Sequence, residues 1–229
     1  SIRPTPPSAK PVNIPTFYEG KIKNPVSETN KGINYIGTET NEIPKIDILI
    51  TLEGGDLLVQ DEIKKVGLAS LTAMMLEEGT KNYSTEEISL QLDEIGSTIS
   101  FNGSDRQSTI YISSLVENID KTLQVLDEKL FNPGFRKDDF KRVKKQYRES
   151  INNSKKSANY LGSTAAKQKM YGKSIRGVTE TVKSIDKLKL DDVENFYNKQ
   201  YNSSLASIVI VGDMPQSEIV PKLDFLNKW

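Results

Sequence analysis

The sequence predicts an α+β domain in which helices pack on one face of a largely antiparallel sheet. Three observations lead to this fold class. Short β-branched segments at 45–52 and 206–211 alternate between apolar and polar residues, as strands do. Apolar residues recur at helical spacing in several segments between them. A cluster of turn residues at 102–106 joins two strand-like segments into a hairpin, and such neighbours pair antiparallel.

The charge balance and hydropathy limit the partners that this chain can have. Its 229 residues include 31 Lys and Arg and 31 Asp and Glu, so the formal net charge is zero. That balance argues against nucleic acid or an anionic membrane as a partner bound by bulk charge. No window holds the roughly 20 apolar residues of a transmembrane helix. We therefore expect no nucleic-acid partner and no membrane span.

The chain contains no His and no Cys. This inventory excludes thiolate and imidazole metal sites, disulfides, and the Ser-His and Cys-His dyads of nucleophilic catalysis. A chain without Cys fits the cytoplasm and a bacterial periplasm equally well, and the sequence leaves that choice open. The richness in Asn and Lys favours a bacterial origin.

Residues 1–28 hold six of the ten prolines. Such a segment favours extended conformations, and we interpret it as a semi-rigid interdomain linker in preference to a ligand for an aromatic groove. Residues 29–229 are then a single α+β domain, and we take the chain as a fragment of a larger protein.

The next segments alternate between strands and helices. Residues 32–36 and 45–52 are predicted strands, the second ended by Gly54-Gly55. Between Val66 and Leu76 nearly every residue is apolar or small, which predicts a helix buried on all sides. We expect Gly79 to close that helix in a left-handed conformation.

The second half of the chain is mainly helical. A capping box, Ser84 with Glu87, begins a helix that Gly96 ends. Strands at 97–101 and 108–112 form the hairpin. Apolar spacing then predicts helices at 116–130, 140–151, 158–171 and 190–201, a strand at 206–211 and a last helix near 219–226.

Residues 67–80 resemble the metal-binding helix of insulinase- and pitrilysin-type zinc peptidases, which reads roughly G-L-A-H-x-x-E-H-x-x-x-x-G-T. In that family the two His ligate zinc and the Glu is the general base. The first three and last two residues of the segment match the frame. The ligand positions, however, hold Ser70 and Met74, and the base position holds Ala73. We therefore predict no catalytic residue and no metal in this chain.

Further segments resemble the same family, in the same order. They are the strand beginning at Gly96, the Asn-Pro break in 131–135, the strand and turn at 208–213, and the closing helix at 223–229. The resemblance covers roughly residues 29–229. It implies one of the similar half-domains that assemble, as four halves or two pairs, into a hollow peptidase chamber.

The resemblance also implies a place for substrate. In the catalytic half an extended peptide adds to the hairpin strand, so Ser97, Thr98, Ile99, Ser100 and Phe101 are the predicted substrate-binding residues. A strand at the sheet edge has unpaired backbone groups that can take an unfolded peptide. The alternative is that a helix or another half-domain covers this edge.

Glu149 lies near the family's third zinc ligand, but one carboxylate without the two imidazoles would hold zinc too weakly. We therefore predict a surface or ion-pair role for Glu149.

The functional prediction is a catalytically inactive half-domain of an insulinase-type zinc metallopeptidase. It would form chamber wall and a peptide-holding surface beside an active half, the partner that holds the zinc. The chain alone is not expected to be an enzyme, whereas its parent would be a zinc metalloendopeptidase.

Two alternatives remain open. One is a non-enzymatic assembly module of a processing-peptidase-like complex. The other is a hydrolase built on the carboxylate pairs Glu77-Glu78, Asp138-Asp139 or Asp191-Asp192. It carries the least weight, because adjacent side chains point apart on helices and strands.

Overall fold

The computed structural model describes residues 15–22 and 32–229, apart from the side chains of residues 60–63. In these ranges the chain forms six strands and eight α-helices. The strands are β1 (Thr16–Ile22), β2 (Ile33–Glu39), β3 (Lys45–Glu53), β4 (Thr98–Gly103), β5 (Gln107–Leu115) and β6 (Ala206–Gly212). The helices are α1 (Leu68–Glu77), α2 (Thr85–Glu94), α3 (Ile119–Phe131), α4 (Lys137–Ser154), α5 (Ala158–Tyr171), α6 (Val182–Lys187), α7 (Leu190–Gln200) and α8 (Gln216–Lys222).

The six strands form one sheet in the order β1-β2-β6-β3-β5-β4. Every neighbouring pair is antiparallel except β2 and β6. The predicted hairpin is β4 and β5, with Ile99 opposite Ile112 and Phe101 opposite Ile110. Within the described ranges β4 therefore lies at one edge of the sheet and β1 at the other. The predicted fold class, a largely antiparallel α+β sheet, is confirmed.

One face of the sheet forms one side of the main hydrophobic core. Along β3 the alternate residues Ile46, Ile48, Ile50 and Leu52 are fully buried, and helices α1, α2, α3 and α8 pack over them. The intervening residues face the opposite side, where Leu49 remains 36% exposed. Because strand side chains alternate in direction, this pattern places the helices on a single face.

Helix α1 is buried on all sides, as its composition predicted. Ala73 and Leu76 contact the core above the sheet, whereas Leu68, Leu71 and Met75 pack into a second apolar cluster with α4, α6 and α7. A helix between two cores needs apolar residues around its whole circumference.

Two expectations were wrong in detail. Residues 16–22 fall inside the predicted linker, yet they form β1 and pair with β2 from Thr16 opposite Glu39 to Ile22 opposite Ile33. The strand depends on backbone pairing across the fold, which counting prolines does not register. The predicted linker residues 1–14 and 23–28 lie outside the described residues, so the rest of that boundary stays a prediction.

Gly79 is not left-handed; the residue that ends α1, Glu78, is extended. Glycine is required there for space instead. A Cβ on Gly79 would lie 2.7 Å from both the Arg136 Nη1 atom and the Tyr83 carbonyl oxygen.

Candidate functional site

Three residues of α1, Ser70, Ala73 and Met74, stand where the family has its two zinc ligands and its general base, and they make other contacts. The Ser70 hydroxyl donates to the Gly103 carbonyl of β4 at 2.8 Å. Ala73 is fully buried in the main core, and Met74 packs against the second apolar cluster. One position therefore ties the helix to the edge strand, and the other two supply apolar packing.

The residues at these positions do not fit zinc. Zinc in proteins binds His nitrogen, Cys sulfur or carboxylate oxygen, whereas this helix offers a hydroxyl already bonded to a carbonyl and a thioether. Glu149 points to solvent on α4, where its carboxylate lies 4.0 Å from the Lys145 ammonium. No three His, Cys, Asp or Glu residues of the described chain converge as a metal site would require.

A buried carboxylate closes the N-terminus of α1. Asp56, in the 3₁₀ turn Gly55–Lys65, accepts hydrogen bonds from the Gly67 N–H at 2.8 Å and the Ala69 N–H at 2.9 Å. Burial raises the pKa of Asp56 to about 6. The two N–H donors oppose that rise, and the charges of Glu180 and Asp105 add to it.

A polar cavity of about 220 Å³ opens beside this cap. Lys167 on its wall pairs with Asp105 at 3.2 Å. The remaining charged groups on the wall are carboxyls, and Ser70 contributes its hydroxyl. The residues that line the cavity include Asp56, Ser70, Gly103, Asp105, Lys167 and Glu180. The cavity therefore occupies the neighbourhood of the lost zinc position.

A buried ammonium closes the other end of α1. Lys129 of α3 is 2% exposed, and its Nζ atom donates to the carbonyl oxygens of Leu76, Glu77 and Glu78 at 2.9, 3.0 and 3.2 Å. Burial lowers the pKa of Lys129, and the charges of Glu77 and Glu78 oppose that change. The ammonium also lies 5.7 Å from the centroid of the Phe101 ring.

Helix α1 covers part of the outer edge of β4. The Phe101 N–H donates to the Glu77 Oε1 atom at 2.5 Å, and the Gly103 carbonyl accepts from Ser70. Alternate residues of an edge strand face outwards, so Ile99 presents its N–H and C=O to the same side. Residues 101 and 103 are thus covered by the helix, and the edge beyond α1 begins at Ile99.

The five predicted substrate-binding residues take different orientations. The Ser97 hydroxyl is buried and bonds Ser114 at 3.1 Å and Thr122 at 2.7 Å. The side chains of Ile99 and Phe101 belong to the core. Thr98 is exposed and Ser100 half-buried on the opposite face of the sheet. Any peptide on this edge would therefore be held through backbone groups, and the five residues stay a prediction as a site.

The carboxylate pairs point apart. Glu77 turns towards β4, whereas Glu78 turns towards Arg142, at 2.5 Å. In the other pairs a nearby base binds at least one member: Asp138 with Lys141, Asp139 with Arg142, and Asp192 with Lys65. Since none of these pairs aims two carboxyls at one point, none has the geometry of a general acid–base couple.

The sequence profile of the insulinase family (peptidase family M16) matches residues 42–179, from just before β3 to beyond α5. That span is more than half of the chain. This chain belongs to the insulinase family. The match includes α1, the hairpin and α4, the elements around the lost zinc position.

Curated and solved relatives agree with that membership. The chain is 25% identical over 188 residues to the non-peptidase homolog YmxG of Helicobacter pylori, covering 81% of this chain and 43% of YmxG. It superimposes with a TM-score of 0.80 and 21% identity on a peptidase M16 inactive domain from Pseudomonas fluorescens, covering 93% of this chain and 50% of that one. The chain also superimposes on the periplasmic protease PqqL of Escherichia coli with a TM-score of 0.74 and 17% identity, covering 93% of this chain and 24% of PqqL.

The chain of this insulinase-family member spans about half the length of YmxG and of the inactive domain, and about a quarter of PqqL. None of its described helices is both long and apolar enough to cross a membrane. The fold is that of one half-domain, and the replaced motif fits an inactive domain of this family.

Three residues around α1 were missed from the sequence: Asp56, Lys129 and Tyr147. Lys129 carried a readable signal, since it follows Thr122 and Leu126 on the buried stripe of α3. A lysine at such a position needs partners. Asp56 and Tyr147 gave no comparable signal, because the residues around them come from other elements of the fold.

Proposed function

We propose that this chain is a non-catalytic half-domain of a zinc peptidase, which holds an extended peptide along the edge of β4 beside a zinc-bearing half. The observation that supports it best is the position of β4. It is an edge strand of the described sheet, and it lies next to a helix that keeps the family frame without metal ligands.

The backbone at Ile99 defines the binding step. Its outward N–H and C=O can form the paired hydrogen bonds of an antiparallel strand, and main-chain pairing of this kind accepts many sequences. Glu77 already accepts from the next outward N–H, that of Phe101. An added strand therefore pairs around Ile99 and stops, or turns away, where α1 begins to cover the edge.

The open face of the sheet supports a contact with the rest of a larger peptidase. Phe17 and Ile36 are 77% and 56% exposed there, and Val209 and Val211 lie beside them. They border an apolar groove of about 670 Å³. Patches of this kind mark contact surfaces. Because the chain spans half or less of its relatives' length, we assign this face to the active half of the parent protein.

Backbone amide hydrogen exchange, measured with an excess of an unfolded peptide, tests whether the edge of β4 binds a peptide. We expect added protection at Ile99 and little at Thr98 and Ser100, whose N–H groups point towards β5 because inward and outward groups alternate along the strand. The other edge strand, β1, is the internal control, and its amides should not change. Equal protection on both edges, or none at Ile99, would remove the proposed peptide site.

Zinc content and peptide cleavage test the assignment to an inert half. The chain alone should hold no zinc and cleave nothing. The full parent polypeptide should hold zinc in its other half and cleave unfolded peptides, and deleting this chain should abolish that activity. Undiminished cleavage by a parent that lacks this chain would contradict the proposal.

The assembly role is a second candidate, and one observation favours it: the relative YmxG is described as a non-peptidase homolog. The zinc content and peptide cleavage of the parent polypeptide distinguish this assembly role from the inert peptidase half. A parent polypeptide that neither holds zinc nor cleaves peptide, while still binding a partner protein, would support the assembly module.

A further inference from the structure

Helix α5 turns its apolar side away from the rest of the protein. The half-buried residues Tyr160, Thr164 and Lys167 recur at i, i+4 and i+7, so they share the side that faces the body. On the opposite side, apolar or small residues recur at i, i+3, i+4, i+7 and i+8, the spacing of a stripe that faces a core. These residues, all exposed, are the outer face of α5: Ala158, Leu161, Gly162, Ala165 and Ala166.

Nothing in the described chain covers the outer face. Leu161 is 53% exposed, and Met170 at the border of the face is 68% exposed. A Cβ built on Gly162 meets no atom within 4 Å, and no residue of α5 is buried. A helix of 14 residues with a glycine in its middle is only marginally stable by itself. A surface that covered the outer face would therefore stabilise α5.

The charges around the outer face have one sign. Residues 150–179 contain no Asp or Glu. They contain six basic residues, two before α5 and four in its second half or just beyond it: Lys155, Lys156, Lys167, Lys169, Lys173 and Arg176. Removing these six from the 31 Lys and Arg of the chain leaves 25, against 31 Asp and Glu. The zero net charge thus combines a basic segment with an acidic remainder.

Four of the six cations have no partner within the described chain. Lys167 pairs with Asp105 at 3.2 Å, and the Lys156 Nζ atom donates to the Asn153 side-chain oxygen at 3.2 Å. The other four side chains are exposed and form no hydrogen bond or ion pair with any residue that the structure describes: Lys155, Lys169, Lys173 and Arg176. They are available to carboxylates of another surface.

The layout of apolar and charged groups favours a protein as the partner. Residues 157–166 have no charge, and cations stand at both ends of them, as in a protein interface with an apolar centre and a charged rim. A nucleic-acid surface would need cations along its length to follow the phosphates. A membrane-bound helix would need bulky apolar side chains across its face. Ala and Gly instead let a protein element approach closely.

The lengths of the relatives indicate where the covering surface comes from. The chain covers 43% of YmxG and 50% of the inactive domain, so at least half of each relative lies outside the match. The unpaired cations require the covering surface to be acidic at two places, one near each end of α5. With a rise of about 1.5 Å per residue, α5 separates these places by about 20 Å.

We propose that the outer face of α5 docks on an acidic surface of the rest of the parent polypeptide. Leu161 and Gly162 lie at the centre of this contact, and Lys169 and Lys173 form ion pairs at its rim. The inference rests on the proposed function for the existence of a parent, but it requires neither zinc nor a peptide on β4. It adds a second contact surface to the open face of the sheet.

Lysine acetylation, measured by mass spectrometry, tests the contact in the intact parent. Lys169 and Lys173 should react about tenfold or more slowly in the full parent polypeptide than in this chain alone, because ion pairs and burial restrict them. Exposed Lys121 on α3 is the control and should react at similar rates in both proteins. Equal rates at Lys169 and Lys173 in the two proteins would overturn the contact.

A matched pair of variants separates docking from folding. Leu161→Glu places an acid in the outer face, and because the site is exposed the melting temperature of the chain alone should change by less than about 3 °C. In the parent it should return Lys173 to the acetylation rate of the free chain. The control is Leu90→Glu on α2, at a leucine that is 61% exposed, and it should leave Lys173 protected. Continued protection in Leu161→Glu would count against the docked face.

Charge reversal tests the acidity of the covering surface. In the parent, Lys169→Glu with Lys173→Glu should raise the acetylation rate of Lys155 more than Lys169→Gln with Lys173→Gln does, because reversal adds repulsion whereas neutralisation only removes attraction. An equal effect of the two pairs would mean a neutral covering surface and would overturn the proposal.

Two probes test the other classes of partner on the chain alone. Vesicles of phosphatidylcholine with phosphatidylglycerol, and a single-stranded DNA, should leave the acetylation of Lys169 unchanged at physiological salt. Protection by either would reassign the face to a membrane or to nucleic acid. Loss of zinc, of peptide cleavage or of the Ile99 protection described above would contradict the proposed function and leave these acetylation rates as they are.

Discussion

The two ends of helix α1 present buried backbone groups that have no partner within the helix, and side chains of opposite charge satisfy them. At the N-terminus the Asp56 carboxylate accepts from two N–H groups. At the C-terminus the Lys129 ammonium donates to three carbonyls. Both charges oppose the helix macrodipole in the stabilising sense.

The two caps differ in their surroundings. Lys129 is faced by Glu77 and Glu78, so its charge is compensated inside the protein. Asp56 is faced by Glu180 and Asp105, charges of its own sign, next to a cavity. We infer that the C-terminal end is a structural anchor, whereas at the N-terminal end the neighbouring charges raise the energy of the ionised Asp56 carboxyl.

The largest expected effect is at the anchor. Lys129→Met should lower the free energy of unfolding by about 3–5 kcal/mol, because it leaves three carbonyls and the Glu77 carboxylate without their buried partner. Urea denaturation measures this. Lys121→Met on the exposed face of the same helix is the control and should change stability by less than about 0.5 kcal/mol. A loss below about 1 kcal/mol in Lys129→Met would contradict the anchor.

The Asp56 cap at the N-terminus of α1 should make the free energy of unfolding depend on pH. The pKa of Asp56 is about 6 in the folded protein, against an ordinary value of 3.8 for an aspartic acid. Between these values the folded state binds a proton that the unfolded state does not. Binding of this proton therefore stabilises the folded state fully below about pH 4. The stabilisation is lost as the pH rises to about 6, a change of about 3 kcal/mol in the free energy of unfolding.

The measurement is the free energy of unfolding of the wild type minus that of Asp56→Asn across this range. The difference should fall as the pH rises from about 4 to 6 and be flat above. Exposed Asp93→Asn serves as the control. A difference that increases with pH would mean that the two N–H donors outweigh burial, and the pKa of Asp56 would be lowered.

The contact between α1 and β4 can be loosened with one methyl group. A Cβ on Gly103 would lie 2.2 Å from the Ala69 carbonyl oxygen, so Gly103→Ala should cost about 1–3 kcal/mol by forcing the helix away from the strand. Gly162→Ala, in α5 with nothing within 4 Å, should instead stabilise by up to about 1 kcal/mol. Thermal unfolding of both variants checks the sign. Similar stability of the two would show that α1 shifts without cost.

The smallest change in stability is expected at Ser70, one of the two positions where the family has a zinc ligand. Ser70→Ala removes one hydrogen bond to the Gly103 carbonyl and should cost about 1 kcal/mol. Ser89→Ala at an exposed site on α2 provides the baseline. A stabilised Ser70→Ala would indicate that the hydroxyl is retained for a ligand and contributes nothing to the fold.

Much of the fold was predictable because its signals are local. The alternation of Ile46, Ile48 and Ile50 identified β3 and its buried face, and the Ser84 capping box located the start of α2. The family frame at residues 67–80 identified α1 and its missing ligands. The short helix α6 was missed, since six residues carry too little periodicity.

The candidate site was less predictable because its geometry joins distant residues. Sequence placed Ser97 to Phe101 on one strand, but only the fold shows that Ser97 is buried with Thr122 and that Glu77 covers the Phe101 N–H. The strand β1 was likewise hidden, because an edge strand with a single fully buried residue, Ile22, shows little pattern.

The sequence by itself determined the family frame, the α+β order of elements and the absence of every imidazole and thiol ligand, because these depend on residue identity and local periodicity. The tertiary structure alone decided which backbone groups of β4 stay open and which charges close the two ends of α1. Those properties depend on distances between residues 11 to more than 100 positions apart in the chain, and only folding sets such distances.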